Sequence, residues 1–178
     1  MPDLHLAMQR ALDLLQSHGV QEPPVDVRLI AEKEGVKVIF ENLEDEISGV
    51  LVVNRNGTTS IGVNKLHHPN RQRFTLAHEL AHWKLHPNDP TVHVDESMLY
   101  FRGEGMYPPS QPGEVEANFF AANLLMPESF LRRDLAKVRL SALDDAQMRS
   151  LAQRYGVSAQ ALTIRLMDLG LLGGLSQT

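Results

Sequence analysis

His78-Glu79-Leu80-Ala81-His82 constrains this chain more than any other stretch. On a helix, residues i and i+4 project from the same side, so both imidazoles reach one cation only if this segment is helical. Glu79 is then displaced around the helix, beside the metal without being obliged to bind it. From there it can take a proton from a water activated by the ion and later deliver one to a leaving amine. The chain has no cysteine. Thiolate metal sites and a disulfide framework are thereby excluded, which leaves histidine and carboxylate as ligands. A length of 178 residues suits one domain, or a core with a small appendage. The formal net charge of −5 argues against nucleic acid as the main partner, because phosphate binding needs a concentrated basic surface. Met1-Pro2-Asp3-Leu4 lacks the basic start of a secretion signal, and no apolar stretch approaches the roughly 20 residues that span a bilayer. A cytoplasmic protein with no membrane association is the expectation.

Around the motif the hydrophobic period changes from helical to alternating and back. Leu4, Met8, Ala11, Leu12 and Leu15 recur at helical spacing, with His18-Gly19 as a stop. Asp26 can cap a second helix running to about Glu34, where Gly35 offers a left-handed exit. Residues 36–40, 48–53 and 58–64 read as strands, the last two joined by the hairpin signal Asn56-Gly57. The motif helix is expected over about 71–85, capped by Asn70 and stopped by Pro87. Residues 87–113 read as a long loop with a short strand near 98–101, and a connection of that length is usually functional. Helices are expected over about 114–125 and, starting at Pro127, to about 138. The fold class is α+β: a small mixed or antiparallel sheet with an active-site helix. Residues 1–139 form the main domain, and 140–178 form a helical segment packed on it.

A metal held by His78 and His82 needs a third protein ligand, with a fourth position left for water. Glu116 is the leading candidate, because it shares a helix face with Phe119, Phe120 and Asn123 and should point inward. Glu114 aligns instead with Ala117, Asn118 and Ala121, at a helix start where a carboxylate suits the dipole without any metal. His93 lies in the long loop. His86, two turns beyond His78 and about 12 Å along the axis, is too far for one helix to present all three imidazoles.

The tail contains two short helices, about 143–154 and 158–169, joined by Tyr155-Gly156-Val157 in a helix-turn-helix outline. Ser158, Gln160 and Thr163 stand where base-reading side chains would. Only Arg165 is basic there, and Asp168 follows, so a packing or partner-docking role is favoured over DNA contact.

Two blocks resemble a known family. Arg73-Phe74-Thr75-Leu76-Ala77-His78-Glu79-Leu80-Ala81-His82-Trp83-Lys84-Leu85-His86 and Glu116-Ala117-Asn118-Phe119-Phe120-Ala121-Ala122-Asn123-Leu124-Leu125-Met126-Pro127 are similar to the ImmA/IrrE metallopeptidases. The resemblance implies a zincin-like fold, zinc ligands His78, His82 and Glu116, and Glu79 as general base. It implies an endopeptidase that cuts or inactivates a helix-turn-helix repressor, releasing phage, mobile-element or stress-response genes. The same ligand types accept Mn2+ or Fe2+. A non-hydrolytic regulator that contains metal and binds its repressor partner or DNA is the alternative. Many glutamate zincins carry an aspartate four residues after the third ligand to orient a histidine. Here that position is Phe120, so the acceptor must come from elsewhere, with Asn123 or a backbone carbonyl as candidates. Tyr100, Arg102, Tyr107 and His93 are candidates for stabilising the oxyanion. The hairpin within 48–64 is a candidate edge for holding an extended peptide, full pairing within the sheet being the competing reading. The sequence does not fix the oligomeric state.

Overall fold

A computed structural model describes residues 1–54, 56–86, 92–95, 111–136 and 144–172, the stretch 92–95 by its backbone. Helix α1 (Leu4–Ser17) is capped by Asp3, whose carboxylate accepts the Leu6 N–H, and buries Ala7, Ala11, Leu14 and Leu15. Helix α2 (Val27–Lys33) is capped by Asp26 through the Leu29 N–H. Gly35, at φ 87°, supplies the left-handed exit that leads into strand β1 (Val36–Glu41). Strands β2 (Gly49–Val53) and β3 (Thr59–Asn64) form the expected hairpin, with Gly57 at φ 84° in its turn.

The sheet order is β1-β3-β2-β4, where β4 is Val92–Asp95. β1 runs parallel to β3, which requires a crossover, whereas β2 is antiparallel to both β3 and β4. β4 lies in a stretch read from sequence as loop, because four residues are too few to establish a period. The strand expected near 98–101 lies outside the described residues. β4 also answers the question of a binding edge. β2 is bonded on both sides, so the hairpin is fully paired within the sheet.

Helix α3 (Pro69–Leu85) starts two residues before the expected position. His68, not Asn70, caps it, accepting the Asn70 N–H, and Pro69 occupies a first-turn position where no N–H is needed. Helix α4 (Pro112–Leu125) likewise begins with a proline. It is packed between α1 and α3. Helix α5 (Glu128–Leu135) follows, with Pro127 as its N-cap. The tail forms α6 (Asp145–Tyr155) and α7 (Ala159–Asp168). A reciprocal cap joins Asp144 and Gln147 at the start of α6, and Gly156 at φ 64° closes its end. The expected boundary at 139–140 falls outside the described residues.

The tail is docked by buried polar side chains as well as by apolar contact. Arg73 of α3 donates through Nε to the Gly156 carbonyl at 3.1 Å and through Nη2 to Val25 O at 2.8 Å. Arg165 of α7, 4% exposed, donates to Asn123 Oδ1 at 2.7 Å and to Met126 O at 3.2 Å. Asp134 of α5 accepts from Tyr155 Oη and Arg154 Nε, each at 3.0 Å. Burial and this carboxylate hold the Tyr155 hydroxyl well above its usual range. Among the described residues, no helix is long and apolar enough to cross a membrane.

Candidate metal centre

The middle of α3 is buried without a break from Phe74 to His82, so the motif sits inside the molecule. His78 is 1% and Glu79 0% exposed. Charge and polarity buried this deeply must be met by partners. α3 meets those partners on two faces. Arg71, Thr75 and Glu79, successive i→i+4 positions, face the start of β2. There Arg71 Nη2 donates to Ser48 Oγ at 2.7 Å. A Cβ added at Gly49 would fall inside contact distance of Thr75 Cγ2 and 3.2 Å from Glu79 Oε1. The second face, carrying His78 and His82, meets α4.

On that second face the two Nε2 atoms lie 3.1 Å apart, with ring centroids 4.7 Å apart at 72°. The Glu114 carboxylate closes the set: Oε2 is 3.3 Å from His78 Nε2, and Oε1 is 3.2 Å from His82 Nε2. Among the described residues, His78, His82 and Glu114 form the one cluster of three such donors. A tetrahedral ion with bonds of about 2.0–2.1 Å sets its ligand atoms about 3.3 Å apart, close to the separation of the two Nε2 atoms and of each Nε2 from its nearer carboxylate oxygen. The residues fit a divalent metal. Glu79 stands outside the converging set, against the start of β2.

The expected third ligand, Glu116, is not brought to the imidazoles. It does point inward, at 9% exposure, but its Oε1 accepts the Asp3 N–H at 2.6 Å and its Oε2 meets His86 Nε2 at 3.1 Å. Two positions along a helix turn a side chain by about 200°, so Glu114 and Glu116 leave α4 on nearly opposite sides. The inward-pointing argument failed because α4 is buried on two faces, one towards α1 and one towards α3, and burial alone does not say which face meets the metal. His86 caps the end of α3.

The group behind His78 also differs from expectation. Asn123 is engaged elsewhere, its Nδ2 donating to Phe119 O at 2.8 Å and its Oδ1 accepting from Arg165. It is Asn118 whose Oδ1 lies 3.0 Å from His78 Nδ1. Glu114 and Asn118 are themselves four residues apart, so one stripe of α4 meets the i→i+4 histidine pair of α3. That shared spacing, together with small Ala117 and Ala121 beside it, was the signal available in the sequence. Of the oxyanion candidates, Tyr100, Arg102 and Tyr107 lie outside the described residues, and the backbone of His93 pairs with Leu51 in the sheet.

Comparison with known proteins bears on the same residues. Residues 31–167 match the family described as the IrrE N-terminal-like domain. The uncharacterized immunity region protein 2 of Bacillus phage phi105 is 32% identical over 99 residues, which is 56% of this chain and 57% of that protein. A Mycobacterium tuberculosis transcriptional regulator shares the fold with a TM-score of 0.60 at 17% identity, covering 97% of this chain and 48% of that one. This chain therefore spans little more than half the length of the phage protein and about half that of the regulator. The family match takes in both the helix that carries the imidazole pair and the helix that brings the carboxylate, and on that ground the chain belongs to the IrrE N-terminal-like domain family, the ImmA/IrrE peptidases designated Peptidase_M78.

Proposed function

We propose that this protein is a zincin-like, metal-dependent endopeptidase that cuts a helix-turn-helix transcriptional repressor and so releases phage, mobile-element or stress-response genes. The observation that supports it best is the convergence of His78 Nε2 and His82 Nε2, 3.1 Å apart, on the Glu114 carboxylate, one of whose oxygens lies 3.2–3.3 Å from each, with a buried Glu79 next to His78 in the chain. Three protein ligands leave one position open, as a hydrolytic site requires. A divalent ion held there supplies a Lewis acid for the scissile carbonyl and a nucleophilic water near neutral pH. Zn2+ is the proposed occupant, and the same donor set accepts Mn2+ or Fe2+.

The remaining chemistry falls to the chain's own residues. Glu79 takes the proton of the attacking water and returns one to the leaving amine. Its position against β2 keeps the carboxylate out of the ligand set and available for that transfer. Burial of the surrounding α3 turns keeps bulk water away from the carboxylate and strengthens its electrostatic interactions.

A repressor as substrate is supported by the family resemblance and by the phage phi105 relative, which its name assigns to an immunity region. Direct DNA reading is disfavoured. Arg165 is the one basic residue of α7, and its guanidinium is buried against α4. The test is Glu79→Gln, co-expressed with a helix-turn-helix repressor that the wild-type protein cuts. The variant is expected to keep its metal and lose about 10²–10⁴-fold in cleavage. Undiminished cleavage would remove Glu79 as the base. A repressor that stays intact on a gel while repression is lost would replace hydrolysis with inactivation by contact.

A further inference from the structure

We infer that the protein holds a second binding site, a pocket between the start of α3 and the α6–α7 turn that takes a small anion carrying an apolar body. The pocket has a volume of about 470 Å³, within the range of sites that receive small molecules. Its floor is apolar: Phe74 and Val157 are 4% and Ala161 5% exposed. Leu66, 59% exposed, continues that surface at the rim, where a ligand's apolar part would cover it.

The polar groups around the floor are of one sign. Arg71, His67, His68 and Gln160 line the pocket, and no carboxylate does. His68 Nδ1 accepts the Asn70 N–H, so the proton of the neutral ring sits on Nε2 and is left to donate. Arg71 is held in place by donating through Nη2 to Ser48 Oγ at 2.7 Å, so it meets an anion with little side-chain freedom left to lose. An adjoining cavity of about 320 Å³ shares His68 and Val157 and adds Arg149, again with no carboxylate in its lining. In a chain of formal net charge −5, two neighbouring cavities lined by arginine and histidine and by no acid reverse the local sign. Such a surface concentrates anions, and a guanidinium matches the oxygens of a phosphate or carboxylate. A bare ion leaves the apolar floor uncovered, and a hydrocarbon leaves the donors unmet. An aryl or alkyl phosphate or carboxylate answers both.

The pocket is separate from the metal centre. Arg71 precedes His78 by about two turns of α3, roughly 10 Å along the axis. None of His78, Glu79, His82 and Glu114 lines either cavity, so the site does not depend on the proteolytic reading.

The experiment titrates phenyl phosphate into the full chain, followed by backbone ¹⁵N–¹H spectra, with inorganic phosphate and phenol as its two halves and benzoate as the carboxylate counterpart. Phenyl phosphate or benzoate is expected to bind saturably and to shift the amides of Leu66, Gln160 and Ala161, and each half to bind at least about tenfold more weakly. The comparison of the two heads tells which anion the pocket prefers. Gln160 is exposed, and a carboxylate there suits the first turn of α7, so Gln160→Glu should fold as wild type does. It is expected to weaken binding about tenfold or more, and Gln160→Lys to tighten it. Phosphate that binds as tightly as phenyl phosphate would mark an adventitious ion only and overturn the inference. Affinities indifferent to the charge at residue 160 would overturn it too, as would shifts gathered around His78 and His82 instead of the pocket, or no saturable binding of either anion.

Discussion

At the scale of single residues, Glu114 and Glu116 are chemically identical side chains two positions apart, and geometry alone gives them different work. Glu114 reaches both imidazoles, whereas Glu116 joins the backbone at the start of α1 to the imidazole at the end of α3. Paired substitutions separate these roles. Glu114→Ala removes a ligand and is expected to weaken metal binding by more than the roughly 10–100-fold that loss of an outer partner costs. Glu116→Gln keeps an acceptor for the Asp3 N–H and should bind metal as wild type does, losing about 1 kcal/mol of stability. Metal content after gel filtration, set beside a urea melt, reads both effects. Metal lost from Glu116→Gln and kept in Glu114→Ala would restore the assignment suggested by the sequence.

Among the elements, α3 organises the others because each face has a different partner. Its Arg71–Thr75–Glu79 stripe lies on β2, its histidines lie against α4, and Arg73 reaches the α6–α7 turn. The α6–α7 pair is joined to α4 through Arg165, whose guanidinium burial makes its charge expensive to keep and costly to orphan partners from. Arg165→Ala leaves Asn123 Oδ1 and the Met126 carbonyl without that donor, and is expected to cost about 2–3 kcal/mol in a urea titration. Arg165→Met fills more of the space and should recover part of it. Both variants should keep their metal, since Asn123 does not touch the imidazoles. A loss of less than about 0.5 kcal/mol in Arg165→Ala would show that apolar contact alone docks the tail.

Across the whole molecule, helix ends distant in sequence are tied by charge. Glu34 caps α2, its carboxylate meets Lys84 of α3, and it lies 2.7 Å from His18 Nε2 at the end of α1. The Lys84 ammonium, and then His18, hold the Glu34 carboxyl below its ordinary value. A lowered folded-state pKa means that the folded chain binds the proton less readily than the unfolded chain does. The stabilisation is therefore complete above the unfolded carboxyl value of about 4.3, and it is lost as pH falls through the folded value. Part of the carboxylate remains solvated, so the contribution is about 1 kcal/mol or less. The stability gap between wild type and Glu34→Gln should close as pH falls below about 4. A gap that persists undiminished in acid would refute the assignment.

The elements were largely legible before any coordinates, because caps, glycine exits and hydrophobic period are local. Asp26 caps where its side chain predicts, and Gly35, Gly57 and Gly156 adopt the left-handed turns their positions demand. The pairing of His78 with His82 was equally local, since a single helical turn relates them. Local rules reach no further than that turn. Whether residue 114 or 116 completes the ligand set depends on which side of α4 faces α3, a rotation set by the packing of α4 between two helices. Whether Asn118 or Asn123 stands behind His78 depends on the same rotation, and the pairing of β2 on both edges depends on a short strand some 40 residues away. The sequence by itself determined the helices, the hairpin and the imidazole pair. The tertiary structure decided the third ligand, the orienting amide and the covered edge, because each is a contact between segments far apart in the chain.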